Sequence, residues 1–237
     1  MTCEHASRAL PRGVRLGVSE RVLRSHVAWD PGAFELASAL ARRLGSRVHR
    51  GRYSRLWIDL NRSAHHPKLI PAVAFGVPVP GNRGLGPHER RRRIARYWAP
   101  YRSRVEAAIA RAIERAGRCA HFSVHTFTPN LDGRARRADV GLLYDPSRRW
   151  ERAIALALRR RLREAGLTVR MNYPYRGTAD GLTTSCRKTF AARRYAGLEL
   201  EVNQGALGAP AARRRLERVL SRAVREVLAG PTRSPAA

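Results

Sequence analysis

Apolar and polar positions alternate along this chain with two different periods. A helical period, with apolar residues three and four apart and arginines opposite, runs through residues 31–44, 147–165 and 209–228. The first of these has Asp30 where an N-cap belongs, Pro31 at the first helical position and Gly45 just past the end. A longer helical pattern covers 87–116, with a kink expected near Pro100. A shorter helix is expected around 184–194. Apolar runs of strand length fall at 55–60, 119–126, 138–144, 167–172 and 197–203. Residues 72–86, rich in Pro and Gly, read as a long loop. Strands alternating with helices predict an α/β fold, a three-layer α/β/α domain with a mixed, mostly parallel central sheet. Ligands of such sheets bind beyond the carboxyl ends of the strands. No linker divides the chain, so one domain is expected over 1–230, with 231–237 a frayed tail.

Composition adjusts this picture without overturning it. The 237 residues include 47 Lys plus Arg against 18 Asp plus Glu, a formal net charge of +29. The hydrophobic fraction of 43% is that of an ordinary globular chain, so the charge does not signal disorder. Cys3, Cys119 and Cys186 are too few for a disulfide scaffold and fit a reducing compartment. No apolar run is long enough for a membrane helix, and the opening Met-Thr-Cys-Glu-His is no signal peptide. A soluble, cytoplasmic protein is expected. Such a charge invites a nucleic-acid reading, because a basic surface attracts polyanions at low salt. Only Lys68 and Lys188 are lysines, however, and the arginines are spread along helical faces. The bland account is a solvated arginine background, and no specific nucleic-acid partner is expected.

Candidate chemistry sits in short polar clusters at strand ends. Cys-Glu-His-Ala-Ser occupies 3–7, His-Val-Ala-Trp-Asp-Pro-Gly-Ala 26–33, and Ser-Val-His-Thr-Phe-Thr-Pro 123–129. Leu-Glu-Leu-Glu-Val-Asn-Gln at 198–204 would project Glu199 and Glu201 from one face of a strand. Two carboxylates there are costly to bury unless paired, protonated or used. Two histidines and a carboxylate from distant segments are the usual recipe for a catalytic zinc site with an open fourth position. A further Glu can take a proton from water. Each histidine alone is more often a structural or surface residue.

Together with Asp-Leu-Asn-Arg at 59–62, Pro-Gly-Asn at 80–82 and Asn-Tyr-Pro-Tyr-Arg-Gly at 172–177, these clusters come in an order that resembles the N-formylglutamate amidohydrolase family. The resemblance runs from about Thr2 to Gln204. It implies a zinc-carboxypeptidase-like α/β fold, one Zn2+, and hydrolysis of the amide of a small anionic N-acyl amino acid. His5 and His125 match the family's histidines and become the first two ligands. Asp30 is the best match for the carboxylate ligand, against its N-cap role, and His26 is held in reserve. Glu201 resembles the general base, with Glu199 its competitor. Asn61, Arg62 and Arg187 match positions where substrate could be held or an oxyanion stabilised, and Asn82 could orient substrate. The resemblance also implies an apolar strand before His5, where only four residues stand, so either that strand is clipped or the start lies too far downstream. A metallopeptidase or peptidoglycan amidase with the same site, or a polyanion-binding protein, remain the competing functions.

Overall fold

The two long strands at the centre of the molecule alternate strictly. In one, Phe122 and Val124 point to one face and His121, Ser123 and His125 to the other; in its neighbour, Leu198, Leu200 and Val202 oppose Glu199 and Glu201. A computed structural model describes residues 1–230, and the expected tail at 231–237 lies outside the described residues. In chain order the elements are β1 (Thr2–Cys3), α1 (Glu20–Leu23), α2 (Ala33–Leu44), β2 (His49–Arg50), β3 (Val73–Ala74), β4 (Val77–Pro78), α3 (Pro87–Arg93) and α4 (Ala99–Ala116). There follow β5 (Cys119–Phe127), β6 (Asn130–Leu131), β7 (Arg134–Ala135), β8 (Val140–Leu143), α5 (Arg149–Glu164), β9 (Val169–Met171), α6 (Leu182–Thr189), β10 (Tyr195–Asn203) and α7 (Pro210–Ala229).

The main sheet has the order β2-β1-β5-β10-β8-β9. All its neighbours pair parallel except β10 with β8, so the sheet is mixed and mostly parallel, as expected. The fully apolar face, with Leu198, Leu200 and Val124, packs under α2, α5 and α7. The opposite face meets α4, α6 and a second core that includes Leu56, Trp57, Ile58, Tyr101 and Tyr195. Helices on both faces give the three layers.

Several expectations need correction. Residues 55–60 are apolar but not a strand: Leu56, Trp57 and Ile58 donate backbone N–H bonds back to Ser54, so the segment coils and its apolar side chains plug the second core. Residues 72–86 are not featureless. β3 and β4 form a ribbon whose turn, Phe75-Gly76, takes positive φ at both residues (48° and 76°). The irregularity expected near Pro100 is present as a π-helical turn over Ile94–Trp98, inside the continuous helical run that joins α3 to α4, where the proline lacks an N–H to donate to the preceding turn. Helix α2 starts at Ala33 with Gly32 as N-cap, which frees the Asp30 side chain. Helix α6 runs earlier than expected, ending at Thr189. The strand before His5 is the two-residue β1, paired to β2 and β5, which leaves the expectation of a clipped strand standing. Gly51 packs so closely on the Glu4 carbonyl that a Cβ at that position would overlap it.

Candidate metal centre and active site

The carboxyl ends of β1 and β5 bring the first polar groups together. His5 follows β1 directly, and His125 lies near the end of β5, in register with Glu201 of β10. Asp30 comes from the turn before α2. Its Oδ2 lies 2.8 Å from His125 Nδ1 and 3.4 Å from His5 Nδ1. The three are buried, and their ligand atoms lie within 4.8 Å of one another. The side chain of Asp30 therefore joins the histidines and makes no cap.

Each histidine is fixed from behind. His5 Nε2 is 2.7 Å from Asp59 Oδ1, and His125 Nε2 is 3.0 Å from Glu4 Oε2. Ser123 Oγ donates to Glu4, and Tyr101 Oη donates to Glu4 Oε1 at 2.9 Å. A carboxylate on the distal nitrogen sets the tautomer and turns the other nitrogen inward, which is how metal-ligating histidines are oriented. Two imidazole nitrogens and one carboxylate oxygen are a donor set that suits zinc. The residues fit the ion that the motifs imply.

Electrostatics are strong here because water is excluded. Burial opposes charge on His125, but the Glu4 hydrogen bond and charge, with Glu201 and Glu199 beyond, outweigh it and raise its pKa to about 9. Burial and the charge of Arg55 lower His5 to about 4, against the pull of Asp59. Burial would raise Glu4 and Asp59, yet their histidine partners hold both far below the usual carboxylate range. Burial raises Glu201 to about 7, helped by the charge of Glu199 and opposed by His125, Arg55 and His5. Glu201 has no hydrogen-bond or ion-pair partner among the described residues, whereas Glu199 accepts a 2.6 Å bond from Thr183 Oγ1. That difference favours Glu201 as the group free to move a proton.

The remaining expected site residues divide. Arg62 stands at the rim, its Nε 3.9 Å from Asp59 Oδ2, one-third exposed, with Nη1 donating to the Asp180 carbonyl. Asn61 beside it accepts from Leu182 N–H and ties the rim to α6. His26 stays outside the buried group, half-buried and edge-on to Phe75 at 5.3 Å. Two others are tied into the scaffold. Asn82 is buried scaffold: Nδ2 donates to the Leu56 and Pro71 carbonyls and Oδ1 accepts from Arg93. Arg187 is tied down by Glu151, Gly177, Thr184 and Gly197, which engage four of its five N–H donors.

Sequence reasoning missed three groups. Arg55 pairs with Asp30 Oδ1, and its buried Nε has no hydrogen-bond partner. Asp59 and Glu4 were visible only as members of their clusters. Their adjacency to Asn61-Arg62 and to His5 was the available signal.

A three-layer α/β domain with a mixed sheet and a buried His-Asp-His group at its strand ends is the class of protein the fold and site define. Within that class the chain belongs to the N-formylglutamate amidohydrolase family, whose model matches residues 1–207. It is thus an amidohydrolase by family. The chain is similar to gene product Atu2144 of Agrobacterium tumefaciens, at 31% identity and a TM-score of 0.84 over 96% of this chain and 89% of that one. It shares its fold with an N-formylglutamate amidohydrolase from Ralstonia eutropha JMP134, at 23% identity and a TM-score of 0.74 over 97% of this chain and 94% of that one. No curated protein matches this chain.

Proposed function

We propose that this chain hydrolyses the acyl amide of a small anionic N-acyl amino acid of the N-formylglutamate type, using one Zn2+ held by His5, Asp30 and His125. The observation that carries this reading is the convergence of three buried donor atoms, in a chain of this family, beside an unpartnered carboxylate on the adjacent strand. When bound, the ion supplies Lewis acidity, polarising the amide carbonyl and lowering the pKa of the attacking water.

The chain's own groups supply the rest. Asp59 and Glu4 keep His5 and His125 aimed inward. Glu201 accepts the proton from water at its carboxylate and passes it to the leaving nitrogen, for which a pKa near 7 is well matched. The free N–H of Arg55 donates to the developing oxyanion inside a dry crevice. Arg62 and Asn61, at the rim, hold the amino-acid carboxylate, where a guanidinium can make two parallel bonds. The products are the short acid and the free amino acid.

The test is turnover of N-formylglutamate, N-acetylglutamate and short peptides by purified protein, with metal content measured before and after chelation. Release of formate that stops on chelation and returns with zinc supports the reading. Equal rates with and without metal sink it, and turnover of peptides alone would favour a peptidase.

A further inference from the structure

On the far side of the segment that carries Asp59 lies a cavity of about 720 Å³ that shares no residue with the His5, Asp30, His125 and Glu201 group. Its walls hold Arg12, Arg50, Arg52, Arg96 and Arg104, and no Asp or Glu lines it. Among the described residues none of these five arginines forms an ion pair. Arg92, at the same rim, is by contrast neutralised by Glu89. The Arg50 guanidinium stacks on Phe34, outside the cavity, while the other four are exposed cations without an acidic partner, which gives the concavity a positive field.

The cavity is more than a charged dent. Tyr97 stands edge-on to Tyr53 at 5.4 Å and to Trp57 at 5.7 Å, and both tyrosines are only half-buried. The buried Trp57 Nε1 lacks a hydrogen-bond partner among the described residues. The volume falls within the range of small-molecule sites. Fixed positive charge for several phosphate oxygens, beside aromatic faces on which a planar ring can stack, is the chemistry of nucleotide recognition.

We propose that this cavity is a second ligand site that binds a nucleoside polyphosphate, its phosphates on the arginines and its base against Tyr53 and Tyr97. The floor links it to the catalytic crevice. Trp57, Ile58 and Leu60 line the cavity while Asp59 between them holds His5. Tyr101 lines it too, and its hydroxyl donates to Glu4, the carboxylate behind His125.

Calorimetric titration of the full chain with ATP, inorganic triphosphate and adenosine tests this. One ATP per chain is expected, with triphosphate weaker and adenosine weaker still. The double variant Arg52→Gln/Arg96→Gln should weaken ATP by about tenfold or more. The surface control Arg152→Gln/Arg214→Gln and the metal-site variant His125→Ala should change it by less than about threefold. Tyr97→Leu should weaken ATP while leaving triphosphate unchanged. Absence of saturable ATP binding would overturn the proposal, as would equal losses in the two arginine doubles. So would triphosphate binding as tightly as ATP, the mark of a bare anion site, or a single-stranded RNA oligomer binding about tenfold tighter than ATP, the mark of a nucleic-acid groove.

Discussion

The two faces of the central sheet are built from the same strands and do opposite things. On the face under α2, α5 and α7, Val124, Leu198, Leu200 and Val202 are wholly buried among other apolar side chains. On the other face, one residue along, Glu4, Ser123, His125, Glu199 and Glu201 are almost as deeply buried, yet they are polar or charged. The first face gains free energy from burial, and the second is held together by pairing each charge with a partner. Glu201 breaks that rule, since it is buried without a partner among the described residues. An ionisable group left in this condition costs stability and is the one worth watching for function.

The contrast predicts a graded series of outcomes. The largest belongs to His125→Ala. Removing a donor should abolish stoichiometric zinc and cut kcat/KM by about a thousandfold or more, with circular dichroism unchanged; retained metal and turnover would contradict the ligand assignment. Glu201→Gln comes next. It should lower kcat by about 10²–10⁴-fold while leaving metal content intact, and remove the acid limb of the pH–rate profile. In the wild type that limb should lie at or below about 7, because the base must be ionised and a bound cation favours the ionised form. The same change should stabilise metal-free protein at pH 8. The folded-state pKa of Glu201 is raised, so its contribution to stability is greatest when protonated and is lost as pH rises through about 7. That loss is on the order of 3 kcal/mol, and glutamine escapes it.

On the apolar face Leu200→Ala should do the converse. It should cost about 2–5 kcal/mol in denaturant unfolding and leave kcat/KM per folded molecule unchanged. The smallest effect is at the supporting carboxylates. Glu4→Gln should weaken zinc affinity by about 10–100-fold in competition with a chelator, by loosening His125, while sparing saturated turnover. A Glu4→Gln protein with wild-type zinc affinity would show that the carboxylate stabilises the fold alone.

Much of the fold was legible because β5 and β10 alternate so cleanly, and the long amphipathic helices carry arginines on one side. The segment 55–60 was not, since a short apolar run has no periodicity that separates a strand from a buried coil. What bends it is Ser54, whose carbonyl and hydroxyl capture the following N–H groups. At the site, His5, Asp30 and His125 were readable from ordered clusters. Arg55 was hidden as one arginine among many, and only its burial against Asp30 distinguishes it. Asn82 and Arg187 show the reverse: motif position marks a residue as constrained, and only the structure adds that both are held by scaffold contacts.

The close seat of Gly51 against the Glu4 carbonyl has a consequence for reading natural variation. A side chain at position 51 would push on the peptide that carries Glu4 and His5, displacing the proposed zinc donor and the brace of its neighbour together. Such an allele would present in an assay as a catalytic null, although the altered residue has no functional group and lies outside the crevice. Among substitutions found in relatives, a change at this glycine should therefore be ranked with changes at His5 itself.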